Sequence, residues 1–357
     1  MRVFGRLLGR WLLRAVLAVV VLALLLLAPV GYNELACRAD MTDEKYAALI
    51  DPAEHRAEAA SYLTYPEWHI VFAYDDYAQI LQSGDPQDFG YFKAITGFWT
   101  AMCSLTQTAD AHGGAPETKT MDYVIGVSFT AELLAKAAYE ETIGRITTWL
   151  RGPDPVASDT ASARMARDYA EFLHQIPWYK YDFPKDVAAL KAIGPLTFRD
   201  RERQFALGLE FGAKTAYAKA IAQAVEASGQ AKLTIRSVVK GVDTDALHKI
   251  PEVIVIRATP DGIEIETPRY AAFTAILKTI ADQNGEIIEI AGNDEIMVTL
   301  TGSKRPDPVQ DADVLARLDR QGYGDHRWLV NVQLADLSNL IRALKGPDAS
   351  LEHIFDY

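Results

Sequence analysis

The organisation of this 357-residue chain is decided by residues 12–30, which read LLRAVLAVVVLALLLLAPV. No charge follows Arg14 until Glu34. About 20 consecutive apolar residues in a helix cross the hydrocarbon core of a bilayer, so this stretch predicts a transmembrane helix. Four arginines, at positions 2, 6, 10 and 14, are the only charges before Glu34. Because basic residues stay on the cytoplasmic side, we expect a single-pass protein with its N-terminus inside.

Three fates of this segment fit its composition. A basic start and an apolar run also mark a cleaved signal peptide, but this run is longer than a signal core and no A-x-A pattern follows it. The triplet Leu35-Ala36-Cys37 hints at a lipoprotein signal, although polar residues separate the cysteine from the apolar run. An uncleaved signal-anchor in the inner membrane is favoured, with cleavage second and lipidation third. The bulk of the chain is then expected in the periplasm.

The part of the chain beyond the apolar run is strongly acidic. The formal net charge is −12, and removing the four N-terminal arginines leaves −16 on the remainder. This charge disfavours nucleic acid and anionic lipid headgroups as partners, and it favours basic proteins or metal cations. The two cysteines, Cys37 and Cys103, both lie in this part. An oxidising compartment permits a disulfide between them, and two separate thiols are the alternative.

Hydrophobic periodicity divides the chain into a helical part and a mixed part. As far as Gly229 the pattern predicts six or seven helices, and from Lys232 it alternates as in strands. The predicted class is α+β, with an antiparallel or mixed sheet covered by helices on one face. The predicted divisions are a cytoplasmic stub and signal-anchor (1–37), a helical domain (38–229) and an α+β domain (230–357).

Finer predictions follow within these parts. Six segments read as strands, at residues 232–239, 252–258, 262–266, 286–291, 295–301 and 328–333. The fourth and fifth are expected to form a hairpin, and residues 303–324 are expected to be an exposed insertion. In the first helix of the helical domain, His69 and Asp76 fall opposite the apolar face. We therefore read them as a solvated edge rather than as an acid–base pair.

Two distant predicted helices share the pattern E-x-x-A-K-x-A-Y. On a helical projection its acid–base pairs fall among apolar residues. Three explanations compete: an ordinary i,i+4 ion pair, a buried structural cluster between packed helices, or a pocket that transfers protons or binds a ligand. The pattern supplies six candidate catalytic residues, Glu132, Lys136, Tyr139, Glu210, Lys214 and Tyr217.

A fainter signal is the E-x-x-H formed by Glu171 and His174. One such pair on a helix is half of a helical di-iron ligand set. A second E-x-x-H is missing from the sequence, although Glu132 and Glu210 offer further carboxylates. Glu171 and His174 are therefore candidate metal ligands.

The motifs of the familiar enzyme classes are missing. The sequence has no G-x-G-x-x-G after a strand, no P-loop, no G-x-S-x-G, no H-E-x-x-H and no C-x-x-C, and the cofactor, if there is one, stays unknown. We therefore predict a non-catalytic interaction or assembly module, held at the membrane by residues 12–30, with a protein partner in the cell envelope. The alternative is an enzyme or small-ligand binder whose site lies between the two helices that carry the repeated pattern.

Overall fold

The computed structural model describes residues 2–42, 46–194, 196–228, 232–306, 312–344, 346 and 348–357. The predicted α+β class is confirmed: a helical part is followed by a part rich in antiparallel strands. The helices are α1 (Arg2–Ala36), α2 (Ala59–Ile80), α3 (Tyr91–Ala111), α4 (Pro116–Tyr139), α5 (Arg145–Arg151), α6 (Ala157–Leu173), α7 (Phe183–Lys191), α8 (Phe198–Ser228), α9 (Thr244–Leu247), α10 (Ala271–Asp282) and α11 (Leu334–Ala343).

Helix α1 is the only helix in the described part of the chain that is long and apolar enough to cross a membrane, over Leu13–Ala36. Its last turn packs against the folded part. The Tyr123 hydroxyl of α4 donates hydrogen bonds to Asn33 Oδ1 at 2.8 Å and to Glu34 Oε1 at 2.7 Å. Directly after the helix, Cys37 is buried and forms a disulfide with Cys103 of α3. The apolar helix is therefore fastened to the helical part without a flexible linker.

Helix α2 is the central helix of the helical part, with α3, α4 and α6 packed around it. His69 and Asp76 are both buried, so their reading as a solvated edge was wrong. The reason is that α2 is covered on this side as well: His69 Nε2 lies 2.9 Å from Ala94 O, and Asp76 accepts a hydrogen bond from Gln321 N at 2.9 Å. Burial raises the pKa of Asp76 to about 7, against the opposing effect of the Arg327 charge.

The later strands form two four-stranded antiparallel sheets within the described residues. Their orders are β2-β3-β1-β4 and β6-β7-β5-β8, so two successive units have the same connectivity. Helices α10 and α11, one from each unit, pack on each other in a shared apolar core. The strands are β1 (Thr234–Lys240), β2 (Ile254–Thr259), β3 (Gly262–Pro268), β4 (Glu286–Ile290), β5 (Glu295–Gly302), β6 (Asp313–Asp319), β7 (His326–Gln333) and β8 (Ala349–Ile354).

Two details of the predicted sheet were wrong. Strands β4 and β5 do not form a hairpin, because β4 pairs with β1 while β5 pairs with β7 and β8. The expected insertion at 303–324 contains β6, which pairs with β7. The alternation that identifies a strand does not identify its partner, and β6 lies partly exposed at a sheet edge, where charged residues mask the alternation.

The helical part and the second sheet share apolar packing. Met297, Leu329 and Phe355 of the sheet part are buried in the same cluster as the aromatic residues of α2 and α3. Phe355, for example, lies edge-on to Tyr65 with ring centroids 5.6 Å apart. The domain division near residue 229 stays a prediction, and residues 229–231 lie outside the described ranges.

Candidate functional site

The six residues of the repeated pattern lie on two long helices that run antiparallel. Helix α4 continues through a π-helical segment, Glu140–Gly144, into α5. Contacts with α8 pair rising numbers on one helix with falling numbers on the other. We call the contacting side chains the polar seam: Glu132, Lys136, Tyr139, Glu140 and Thr147 on α4–α5, and Arg199, Glu202, Arg203, Glu210 and Lys214 on α8.

The four charged residues of the pattern come together in the seam and exchange partners between helices. Lys136 Nζ lies 3.1 Å from Glu210 Oε1, and Lys214 Nζ lies 3.0 Å from both Glu132 Oε1 and Glu210 Oε1. Tyr74 of α2 donates a hydrogen bond to Glu132 and accepts one from Lys214 at 2.7 Å. Side chains of α4 and α8 thus join the two helices to each other, and Tyr74 joins both to α2.

Aromatic rings surround the two ammonium groups. Lys136 Nζ lies 4.5 Å from the centroid of the Tyr77 ring, and Lys214 Nζ lies 4.7 Å from that of Tyr74. Burial lowers the pKa of both lysines, but the neighbouring carboxylates outweigh it and leave both raised. Burial likewise raises the pKa of Glu210, yet the two ammonium groups hold it well below its usual range. These groups are therefore charged at neutral pH.

A small cavity lies beside this cluster, between α2, α4, α6, α7 and α8. Its volume is about 30 Å³ when measured by the positions open to the centre of a water-sized sphere. Lys136, Glu210 and Lys214 line it together with aromatic side chains such as Tyr169 and Phe183. One water molecule needs about 10–15 Å³ by this measure, so the cavity has room for two or three waters. Its size and the paired charges around it favour the structural explanation of the cluster.

The other half of the seam contains the predicted Tyr139, and the sequence reasoning missed its remaining residues. Arg203 makes two bonds to Glu140, at 2.9 and 3.1 Å, and also contacts Glu202. Arg199 lies 2.8 Å from Glu202, while Tyr139 donates to the same carboxylate at 2.7 Å. Their spacing could have predicted this. The charged residues of α8 at positions 199, 203, 210 and 214 recur at steps of four and seven, which puts them on one face of the helix.

The remaining predicted residues lie away from the four-charge cluster. Tyr217 is exposed and packs on Trp178, with ring centroids 5.2 Å apart. Glu171 is exposed on the outer side of α6, and His174 Nε2 instead lies 2.9 Å from Asp75 Oδ2. A metal site at Glu171 and His174 stays a prediction.

A different group has the arrangement expected of metal ligands. Among the described residues, Glu58, His112 and Glu295 are the one trio of His, Cys, Asp or Glu side chains whose ligand atoms lie within 4.8 Å of one another. His112 Nε2 lies 3.4 Å from Glu295 Oε2 and 3.8 Å from Glu58 Oε1. The hydrogen bond to Glu295 raises the pKa of His112 to about 9, although burial opposes it. The sequence reasoning did not find this trio, because its three residues are too far apart in the chain to form a recognisable spacing pattern.

The outer sides of the same two helices are apolar. On each helix three large side chains, spaced by three, four or seven residues, form one stripe turned away from the core. All six are between 50% and 66% exposed. On α8, nothing lies within 4 Å of a side chain built at Gly208 or Gly212. We call these six residues the outer face: Ile143, Ile146, Leu150, Phe198, Phe205 and Leu209.

No protein-family model matches the chain, and no curated protein or solved structure is similar to it. Its function therefore has to be argued from the geometry of the polar seam, the outer face and the apolar helix α1.

Proposed function

We propose that the protein is a single-pass, membrane-anchored assembly module, and that two copies pair through the outer face. The observation that carries the proposal is the outer face itself: six large apolar side chains, exposed in two adjacent stripes. Contiguous apolar patches of this kind on a folded surface mark interaction sites, whereas isolated exposed apolar residues are normal.

The size of the outer face suits pairing between proteins. Side chains of this kind present about 150–250 Å² each, so their exposed fractions amount to roughly 600–700 Å² per copy. A standard interface buries about 800 Å² on each partner. Gly208 and Gly212 of α8 have open space beside them, so they allow close approach of a second backbone.

A second copy is the occupant that the chemistry of the molecule favours. The chain after Arg14 carries −16, so two copies repel each other unless they meet through a surface with little charge. None of the six residues of the outer face is charged, and two antiparallel helices can pair with an identical pair about a two-fold axis. Copies anchored by α1 in one membrane also share an orientation, which raises their effective concentration.

Three observations support an uncleaved anchor and an extracytoplasmic position. The last turn of α1 is helical and partly buried against α4, which makes it a poor substrate for cleavage. The arginines at its start favour a cytoplasmic N-terminus. The disulfide between Cys37 and Cys103 suits an oxidising compartment, such as the periplasm of a bacterial envelope.

The molecular mass of the full chain in detergent micelles, measured by light scattering, tests this proposal. We expect two copies for the unaltered protein and one copy after Phe205→Asp with Leu209→Asp. Arg167→Asp, on the exposed side of α6, is the matched control and should leave two copies. A single copy for the unaltered protein, or two copies for the double variant, would contradict the proposal.

The alternative of an enzyme or ligand site in the polar seam has weaker support. The cavity there has room for only two or three waters, and lysines or arginines face its carboxylates. The residues of the repeated pattern are therefore proposed to hold α4 and α8 together. Crystals soaked with small carboxylates or amines would contradict this if a ligand displaced Glu210 from Lys136.

A further inference from the structure

We propose that Glu58, His112 and Glu295 bind a divalent transition-metal cation. Glu58 directly precedes α2, His112 follows α3, and Glu295 begins β5. The site thus joins the helical part to the second sheet. It is distinct from the polar seam and the outer face, and it does not depend on the pairing proposed above.

The spacing of the three ligand atoms fits a metal ion. Zinc binds imidazole nitrogen and carboxylate oxygen at about 2.0–2.2 Å, so ligands in a tetrahedron stand about 3.3–3.6 Å apart. The distances from His112 Nε2 are 3.4 Å to Glu295 and 3.8 Å to Glu58. The carboxylate of Glu58, on a side chain with several rotatable bonds, lies within 4.8 Å of the other two ligand atoms and has to move closer to them.

The imidazole is oriented as in a metal ligand. His112 Nδ1 lies 2.8 Å from the carbonyl oxygen of Thr108 and so carries its proton towards that oxygen. Nε2 is thereby directed at the two carboxylates. Histidine ligands of metals usually donate their second ring nitrogen in this way, which fixes both the tautomer and the ring plane.

Neighbouring side chains hold the Glu295 carboxylate. Asn331 Nδ2 donates a hydrogen bond to Glu295 Oε2 at 2.5 Å, and Gln333 donates to the other oxygen. Tyr62 lies against the His112 ring, with ring centroids 5.1 Å apart. Such outer partners are typical of metal sites, where they keep the ligands in place before the ion arrives.

The donor set also selects the class of cation. One imidazole and two carboxylates suit zinc, manganese or ferrous iron, with water in the remaining positions. Two carboxylates supply the negative charge that a divalent ion needs. Since the ligands come from both parts of the molecule, the ion would tie the start of α2 and the end of α3 to β5. Metal binding of this kind adds its free energy to folding.

The test is metal binding to the untagged full chain in detergent micelles after treatment with a chelator. We expect one equivalent of Co²⁺ to bind and to give the visible absorption bands of a site with a low coordination number. Zn²⁺ should then displace the Co²⁺. His112→Ala should abolish the bands, and Asn331→Ala should weaken Zn²⁺ binding by about 10–100-fold. His326→Ala, which removes a histidine paired with Asp319, is the matched control and should bind as the unaltered protein does.

Each outcome decides the question. A proton on His112 Nε2 would also hold the two carboxylates, and the absence of bound metal in the folded, unaltered protein would overturn the proposal in favour of that ion pair. Binding that survives His112→Ala would overturn it as well. If His112→Ala fails to fold, Glu58→Gln at the more exposed edge of the site must weaken binding by at least about tenfold, and unchanged binding would overturn the proposal.

Discussion

Helices α6 and α8 lie side by side but carry their charges on opposite sides. Helix α6 exposes charged residues and buries apolar ones, as helices on protein surfaces usually do. Helix α8 departs from this order on two of its sides, because four of its charged residues face the seam and three of its large apolar residues face outwards. On α6 the exposed set is Arg164, Arg167, Asp168 and Glu171 and the buried set is Met165 and Tyr169. On α8 the exposed apolar residues are Phe198, Phe205 and Leu209; Arg199 and Arg203 are buried, Glu210 and Lys214 are partly buried, and Leu207 and Phe211 lie in the core.

The inner side of α8 holds the helix against α4–α5, and we propose that its outer side binds a second copy. Ion pairs and hydrogen bonds to α4–α5 fix the helix, and breaking such buried pairs costs more than forming them contributes. Apolar side chains on its outer side add nothing to the folding of one copy while they remain in water. We therefore propose that the two sides of α8 serve different purposes: the inner side orients the helix, and the outer side binds a second copy.

The substitution expected to destabilise the protein most removes a carboxylate from the polar seam, on the inner side of α8. Glu210→Ala leaves the ammonium groups of Lys136 and Lys214 buried with one carboxylate fewer, so we expect a loss of about 3–5 kcal/mol in the free energy of unfolding. Chemical denaturation of the full chain in detergent micelles measures it. Replacing Glu132, Lys136, Glu210 and Lys214 together by Leu and Met should restore most of this stability. An unchanged stability in Glu210→Ala would mean that the seam does not hold the helices.

The next effect concerns the tie between α1 and the helical part. The disulfide between Cys37 and Cys103 spans 66 residues, so Cys37→Ser with Cys103→Ser should cost about 2–4 kcal/mol. The seam and the outer face lie elsewhere, so pairing of copies in the membrane should persist. Thermal unfolding followed by circular dichroism, with and without a reductant, measures the loss. A reductant that leaves the unaltered protein as stable as before would speak against the bridge.

A third prediction contrasts the carboxyl of Glu210 with that of Asp122 on α4. Asp122 is buried, and its Oδ2 has no hydrogen-bond partner among the described residues. Burial, reinforced by the charge of Glu67, raises the pKa of Asp122 to about 9. The unfolded chain then loses this proton near pH 4 while the folded protein keeps it, so stability falls as the pH rises above about 4.

Asp122→Asn removes that dependence. Relative to the unaltered protein, its free energy of unfolding should rise by about 3 kcal/mol between about pH 5 and pH 7. Glu210 behaves in the opposite sense, because its pKa is lowered in the folded protein: its contribution is present above about pH 4 and is lost as the pH falls through the lowered pKa. Denaturation curves at several pH values measure both. A parallel pH dependence of Asp122→Asn and the unaltered protein would contradict the assignment.

The smallest expected effect concerns the outer side within a single copy. Phe205→Ser should change the free energy of unfolding by less than about 0.5 kcal/mol at dilutions where copies are separated, because the ring is already in water. Met165→Ala, on the buried side of α6, should cost about 2–5 kcal/mol. Equal losses in the two variants would mean that Phe205 is buried within one copy and that the outer face does not exist.

Much of this architecture follows from local patterns in the sequence. The apolar run, the change of period near residue 230 and the helical spacing of the repeated pattern are all consequences of repeated side-chain placement along one element. They predicted α1 and the α+β class, which the structure confirms. Packing of the two pattern helices against each other was one of three explanations left open, and in the structure Lys136 contacts Glu210.

What local patterns missed depends on contacts between distant segments. The burial of Asp76 depends on Gln321, and the separation of β4 from β5 depends on pairing with β1 and β7. The trio of Glu58, His112 and Glu295 comes from three separate elements. The outer face was missed for another reason: apolar residues in a helix are normally assigned to the core, and only the fold shows that Phe205 and Leu209 point outwards.

Cross-linking in the membrane tests whether two copies pair through the outer face. The described part of the protein has no free cysteine, so single substitutions supply unique thiols. Membranes that contain the full chain with Phe205→Cys would be treated with a short bis-maleimide, beside membranes with Arg167→Cys on the outer side of α6. We expect a cross-linked dimer for Phe205→Cys and little or none for Arg167→Cys. Equal cross-linking of the two variants, or none in Phe205→Cys, would contradict the pairing of copies through the outer face.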